Sequence, residues 1–218
     1  MAKLVWGNTG EKFYETGVSK VVFYPIDSSS KYTPGVAWNG VTEIDESPSG
    51  AEITSLYADD EKYVDLISKE EYSSTIKAYH YPKEFEECDG TVSLLDGVTI
   101  GQQTRKMFGL CYKTIIGNDV DGDDHGYKLH LVYGLKATPS EKTRTTINDS
   151  PEASEFSWEA KSTPVPVSGK KPTSTVEIDS TALTADKLAK IEEILYGSEA
   201  TEARLPLPDE ISTLLAGE

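Results

Sequence analysis

Three features of the sequence predict a mainly β, α+β chain with one helix near its C-terminal end. They are period-two alternation on both sides of a single turn, short strand-like runs along most of the length, and one isolated apolar stripe of helical period. Before the turn, Phe108, Leu110, Tyr112, Thr114 and Ile116 take alternate positions, and after it Tyr127, Leu129, Leu131, Tyr133 and Leu135 do the same. Lys113, Lys128, His130 and Lys136 fall at offset positions, so the stretch 104–136 reads as a long antiparallel hairpin with one buried and one wet face. Its connection, 117–126, contains three glycines and supplies the positive φ angles that a hairpin loop needs. In the stripe, Leu188, Ile191, Ile194 and Leu195 share a face, with Thr184 placed to cap and Gly197 to end a helix over 184–196.

The totals bound the rest. With 218 residues, 37% of them hydrophobic, the chain suits one domain over 18–197, an N-terminal arm over 1–17 and a C-terminal arm over 198–218. No apolar run approaches the ~20 residues that span a bilayer, and Met-Ala-Lys-Leu-Val-Trp-Gly at the start lacks the apolar core of a signal peptide. The expectation is folding in a cytoplasm, with no membrane partner. A net charge of −16 opposes adhesion to nucleic acid, because phosphate binding needs Lys and Arg to displace counterions, but it is compatible with nucleic acid passing close by. Cys88 and Cys111 have no Cys-x-x-Cys spacing and read as free, partly buried thiols.

In chain order, 18–26 is a strand with Pro25 marking an edge or terminus, and 28–35 is a loop. The segment 36–57 reads as a second hairpin folded through Ser47-Pro48-Ser49-Gly50, with both faces only half apolar. A charged turn or short strand over 58–63 leads into 64–68, and 72–81 is a strand stopped by Pro82. Residues 83–88 make about one and a half helical turns. Later come a short strand over 143–147, a longer one over 154–162, an extended proline-held stretch over 163–172 and a last strand over 173–179. The C-terminal arm is held by Pro206 and Pro208, with a last helical turn through Leu215.

Asp119, Asp121 and Asp123 stand at alternate positions, as at the opening of a calcium-binding loop. The sixth position is Asp124 rather than Gly, the twelfth is His130 rather than Glu, and the flanks are strands, so turn chemistry explains the aspartates as well as metal binding does. His80, His125 and His130 have no partner set of zinc-site spacing. Nucleophile-elbow, phosphate-loop and dinucleotide motifs are missing, and the carboxylates are too many for any pair to stand out; the chain reads as non-enzymatic and without a cofactor. Twelve tyrosines, many on strands, and aromatic-bearing arms suit an assembly subunit.

Tyr57-Ala58-Asp59-Asp60, Tyr81-Pro82-Lys83-Glu84-Phe85, Cys88-Asp89-Gly90, Gly117-Asn118-Asp119, the run His125-Gly126-Tyr127-Lys128-Leu129-His130-Leu131-Val132-Tyr133, and Asn148-Asp149-Ser150-Pro151-Glu152-Ala153 resemble the major tail (tail tube) proteins of long, non-contractile-tailed phages and prophages of Gram-positive bacteria. The resemblance covers about 21–197. It implies an antiparallel β-sandwich or barrel-like tail tube fold with a flanking helix, hexameric rings stacked into a tube, and a lumen through which DNA is ejected. It also implies the partners: further copies of itself, a tape-measure protein, and tail terminator and distal tail proteins. Viral DNA would pass without specific binding, in a virion tail assembled in the host cytoplasm. On this reading Glu43, Asp45 and Glu52 of the half-polar hairpin line the channel and repel phosphate. The loop 28–36 and both arms bridge copies, because they carry apolar residues without a visible core partner. The reading from another class is a calcium-dependent surface module binding carbohydrate through the aspartate loop and exposed tyrosines.

Overall fold

The computed structural model describes residues 4–27, 29–147, 149 and 153–216. The strands are β1 (Phe13–Pro25), β2 (Val36–Ala37), β3 (Val41–Glu46), β4 (Ile53–Ala58), β5 (Glu61–Ile67), β6 (Ser73–Ala78), β7 (Val92–Leu95), β8 (Val98–Ile100), β9 (Phe108–Asn118), β10 (Gly122–Ala137), β11 (Phe156–Ser162) and β12 (Thr175–Asp179). A short 3-10 helix, Lys83–Glu87, precedes β7, and a second, Ser180–Ala182, follows β12. The chain ends in two α-helices, α1 (Ala185–Tyr196) and α2 (Pro208–Ala216). The fold is therefore mainly antiparallel β with C-terminal helices, in the α+β class that the alternation predicts.

Eight strands form one antiparallel sheet in the order β2-β1-β9-β10-β11-β6-β3, with β12 also on β10. The sheet curls until β3 approaches β1, and the β1–β2 pairing is continued by the Trp38 amide, which donates to the Val21 carbonyl at 2.8 Å. Inside the curl lies an aromatic core. Phe85, carried in by the 3-10 helix, meets Phe23, Trp38, Phe108 and Trp158 at ring separations of 4.6–5.5 Å, mostly edge to face. On the other side of β1, β9 and β10, a second core joins Val22, Tyr24, Leu129, Leu131 and Tyr133 to Ile191 and Leu195 of α1.

Two cores on opposite sides of the same strands correct the expectation of one buried and one wet face. Leu110 pairs with Val132 and Cys111 with Leu131. So the apolar set of β9 (Phe108, Leu110, Tyr112) faces the aromatic core, while Leu129, Leu131 and Tyr133 of β10 face the helices. Leu135 does not continue their face. At Gly134 (φ 61°) the register slips, and Leu135 and Ala137 turn into the aromatic core. At the same point β10 leaves β12 and takes up β11, pairing Val132 with Thr175 and then Leu135 with Ser162. The Thr163 amide donates to the Gly134 carbonyl at 2.9 Å, and a Cβ on Gly134 would lie 2.1 Å from the Thr163 oxygen.

Several boundaries also move. β1 begins at Phe13, so part of the expected N-terminal arm is strand, paired from Asn118 onward with the far end of β9. Residues 143–147 form no strand, and Ile147 is exposed. The hairpin β7–β8, closed by the two residues Asp96 and Gly97, was not foreseen. The helix over 184–196 is present and ends at Gly197 (φ 78°), but Thr184 makes no side-chain cap. Cys88 and Cys111 are free and buried in different cores.

The C-terminal arm is the largest correction. Leu205 and Ile211 are buried in the second core, Tyr133 donates to the Pro206 carbonyl at 2.9 Å, and the Leu205 amide donates to the Tyr32 carbonyl at 3.1 Å. Tyr32, in the loop expected to reach other copies, is buried there as well and accepts from the Gly134 amide. These segments have core partners, so the reason for assigning them to bridging is gone.

Two outcomes follow. Gly134→Ala should cost at least about 2 kcal/mol, from the left-handed backbone plus the Thr163 contact, measured by denaturant unfolding; a cost below about 0.5 kcal/mol would remove Gly134 from its role. Deleting 205–218 should abolish the near-ultraviolet circular dichroism of a packed core, since two buried aliphatic side chains at about 2–5 kcal/mol each rival the whole stability of a small domain. A truncated chain that unfolds at the full-length temperature would contradict this.

Candidate functional site

The second hairpin differs from the one expected at Ser47-Pro48-Ser49-Gly50. β3 pairs with β6, and β4 with β5. Between them the Ser47 amide donates to the Ser73 carbonyl at 2.8 Å, Ser49 and Glu71 exchange bonds at 2.8 Å, and the Ser68 amide donates to the Glu52 carbonyl at 3.0 Å. The two pairs are thus one hairpin from Val41 to Ala78, with an irregular waist where a turn was expected. Gly50 (φ 84°) makes the waist possible, because a Cβ there would meet the Lys69 carbonyl at 2.2 Å. The true turn is Asp59 and Asp60, with φ of 53° and 61°. Positive φ at both central residues is the type I′ turn whose twist matches a two-residue hairpin, and Asp is among the few residues that tolerate it.

The outer half of this hairpin stands clear of the body as a two-stranded ribbon. Tyr57, Tyr63 and Ile67 are 71%, 77% and 67% exposed, and Ile53, Leu56, Val64 and Leu66 are exposed too. Register pairs Ile53 with Ile67 and Leu56 with Val64, so exposed apolar side chains stand on both faces of the ribbon. β7–β8 is a second such ribbon, with Val92, Leu94, Leu95, Val98 and Ile100 all exposed. Two-stranded hairpins are marginal in water by themselves. Of the expected N-terminal arm, Leu4, Val5 and Trp6 are exposed as well, Trp6 at 81%.

The outer face of β3-β6-β11 is polar. Register places Glu43 beside Lys77 and Ser157, and Asp45 beside Thr75 and Glu159. Glu43 and Asp45 therefore share one exposed face, but Glu43 is paired with the Lys77 ammonium at 2.8 Å. Glu52 sits at the waist rather than on the same ladder, so the three residues do not form one row.

The aspartate loop does not converge on a point. Asp119 accepts from the Gly10 and Lys12 amides at 3.0 and 3.3 Å, Asp123 accepts from the Tyr14 hydroxyl at 2.8 Å, and Asp121 meets His125 and Asn118, each at 3.1 Å. The loop carboxylates thus fasten the start of β1 to the turn. His130 is held elsewhere, stacked on Tyr112 at 4.7 Å with Glu15 at 3.3 Å, and the exposed His80 stacks on Tyr81. Among the described residues no three His, Cys, Asp or Glu side chains are grouped to hold a metal ion, and no helix is long and apolar enough to cross a membrane.

Both ribbons escaped the sequence reading, though each carries a signal. Asp96-Gly97 between Leu95 and Val98 is among the strongest short-range hairpin signals. Asp59-Asp60 sits between Leu56-Tyr57 and Tyr63-Val64 and closes the ladder in the same way. The motif Asn148-Asp149-Ser150-Pro151-Glu152-Ala153 lies largely outside the described residues. No protein-family model matches the chain, and no curated protein matches it.

Burial opposes ionisation of Asp119, but the bonds from the Lys12 and Gly10 amides outweigh it and hold its carboxyl below the usual aspartate range. A depressed carboxyl contributes stability above the ordinary value of about 3.9, and that contribution is lost as pH falls through the lower folded value. The Gly10 and Lys12 amide signals in an NMR titration should therefore shift together, with a midpoint below about 3.9. A midpoint at or above it would remove these bonds from the account.

Proposed function

We propose that this chain is a self-assembling tube subunit of a long phage tail, joined with its own copies into six-membered rings that stack around a DNA channel. The observation that carries the reading is the ribbon β4–β5. A lone soluble chain gains nothing by keeping two tyrosines and five aliphatic side chains in water, whereas a subunit covers them on contact with its neighbours. The second apolar ribbon and the open edge of β3 point the same way, since unpaired strand edges invite pairing with another chain. The resemblance of the sequence motifs to tail tube proteins supplies the kind of assembly.

On this reading the role is structural rather than enzymatic. The polar face of β3-β6-β11, with Asp45 and Glu159 either side of Thr75 and Glu43 offset by Lys77, is the surface best suited to face the channel. Six copies at −16 carry on the order of 100 negative charges per ring, which would keep passing DNA from adhering. A tape-measure protein would fill the channel during assembly, and terminator and distal tail proteins would cap its ends. The calcium-dependent binding module gains no support, because Asp119, Asp121 and Asp123 are each bonded within the chain.

Electron microscopy and sedimentation over a rising concentration series, with and without a calcium chelator, test the proposal. Rings or hollow tubes indifferent to chelation are the expected result. A chain that stays monomeric to its solubility limit, or one whose melting temperature drops on chelation, would overturn it.

A further inference from the structure

We propose that Asn39 is a site of self-modification, where the Gly40 backbone nitrogen displaces ammonia from the Asn39 side chain and water then leaves an isoaspartate in the chain. The site lies in the turn between β2 and β3 and is independent of the assembly reading.

The fold itself demands the reactive pair. β2 pairs with β1 and β3 with β6, so residues 38–40 carry the chain from one end of the curled sheet to the other. Asn39 and Gly40 form a two-residue turn, with φ of 82° at Gly40 and no positive φ at Asn39. That is the type II arrangement, whose third position takes a left-handed backbone and is therefore filled by glycine. Glycine leaves the nitrogen that follows Asn39 without a side chain to shield it.

Both reacting groups are exposed and unengaged. Among the described residues, neither the Asn39 carboxamide nor the Gly40 amide has a hydrogen-bond partner. The flanks, by contrast, are fixed. The Trp38 amide donates to the Val21 carbonyl at 2.8 Å, its indole donates to the His80 carbonyl at 2.8 Å, and the Gly40 carbonyl accepts from the Tyr79 amide at 2.8 Å. The backbone is held while the side chain between is free to turn onto the Gly40 nitrogen.

The other asparagines of the chain lack this combination. Asn8 is followed by the β-branched Thr9 and donates to the Glu11 carboxylate at 2.8 Å. Asn118 is buried, with its oxygen accepting from the Val120 amide at 2.9 Å and its nitrogen donating to the Asp121 carboxylate at 3.1 Å. Local bonds of this kind tie up the carboxamide. Asn148 lies outside the described residues.

The chemistry needs only hydroxide and water. Loss of the Gly40 amide proton to base frees the nitrogen to form a bond to Asn39 Cγ. The bond from Cγ to the carboxamide nitrogen breaks, and that nitrogen leaves as ammonia. The five-membered imide then takes up one water. Opening at Cγ gives aspartate, and opening at the main-chain carbonyl gives isoaspartate, in which the chain runs through the former side chain and gains one carbon. Both products add a negative charge. Only isoaspartate displaces Gly40 from its bond with Tyr79, where β3 begins to pair with β6.

Mass mapping of peptides from the full chain, stored in mildly alkaline buffer, tests this. The peptide holding Asn39 should gain one mass unit at least tenfold faster than those holding Asn8 and Asn118, and faster still at higher pH, with isoaspartate as the main product. Asn39→Gln, whose longer side chain closes the ring far more slowly, should keep its mass. The aged chain should melt about 2–4 °C below fresh Asn39→Asp, which carries the charge without the extra carbon, as the loss of one backbone hydrogen bond would give. An Asn39 peptide that converts no faster than the Asn8 peptide, or that yields aspartate alone, would overturn the ring route. Equal melting of the aged chain and Asn39→Asp would overturn the displacement of Gly40.

Discussion

Everything in the body depends on β10 serving two hydrophobic cores in turn, which it does by changing faces at Gly134. From Leu129 to Tyr133 its odd positions pack on the helices; from Leu135 to Ala137 they pack among the aromatic rings. A regular strand alternates faces with period two and cannot make that change without an extra residue in the ladder. Gly134 supplies it, with a left-handed backbone that brings its nitrogen to Tyr32 and its carbonyl to the Thr163 amide. Because β12 ends its pairing just before this point and β11 begins just after it, the bulge also sets where the sheet bends. The curl and the enclosed aromatic core follow from that bend.

The charge distribution obeys a similar division between body and periphery. Where carboxylates pack into the body, as at Asp89 and Glu15, they are matched. Asp89, buried beneath the aromatic core, is bonded to Trp158 Nε1 at 3.2 Å, to Arg105 and to Lys142. Glu15 is bonded to Lys128 at 2.8 Å and to Thr114 at 2.7 Å. A buried charge without a partner would cost several kcal/mol, so this matching is what the core requires. At the hairpin tip, water screens the carboxylates and no such requirement applies. Asp59, Asp60 and Glu61 can therefore stand exposed at the tip at little cost to the monomer.

What could be read from the sequence alone was local. The central hairpin and α1 were legible because each repeats one period over ten or more residues, and Gly117, Gly126 and Gly197 punctuate them. Which way the two arms face was not, since that depends on a register of Leu110 against Val132 that alternation within either arm does not contain. The partner of β3 was misread for a related reason: Ser47-Pro48-Ser49-Gly50 has the composition of a turn, yet Ser47 and Ser49 stay paired across to Ser73 and Glu71. The C-terminal segment was misread because its partners include Tyr32 and Tyr133, far away in sequence. At the candidate site, the abundance of exposed tyrosine was legible; the isolated ribbon that carries Tyr57 and Tyr63 was a matter of tertiary placement.

A ribbon with exposed apolar side chains on both faces raises the question of what keeps it in register. Its own resources are limited: a type I′ turn, cross-strand pairs such as Leu56 with Val64 and Ile53 with Ile67, and the bond from Ser55 to Asp65 at 2.7 Å. Pairs of this kind contribute about 0.2–1 kcal/mol each, while ordering costs about 1–2 kcal/mol per residue of backbone. Alone, the ribbon is poised near balance. Anchored at one end through Ser47, Ser49 and Glu52 to a rigid sheet, it begins with its register already set. Contact with a partner would then supply apolar burial without the full cost of ordering a free segment. An exposed ribbon of this kind can be kept ordered enough to recognise a neighbour and still depend on that neighbour for its stability.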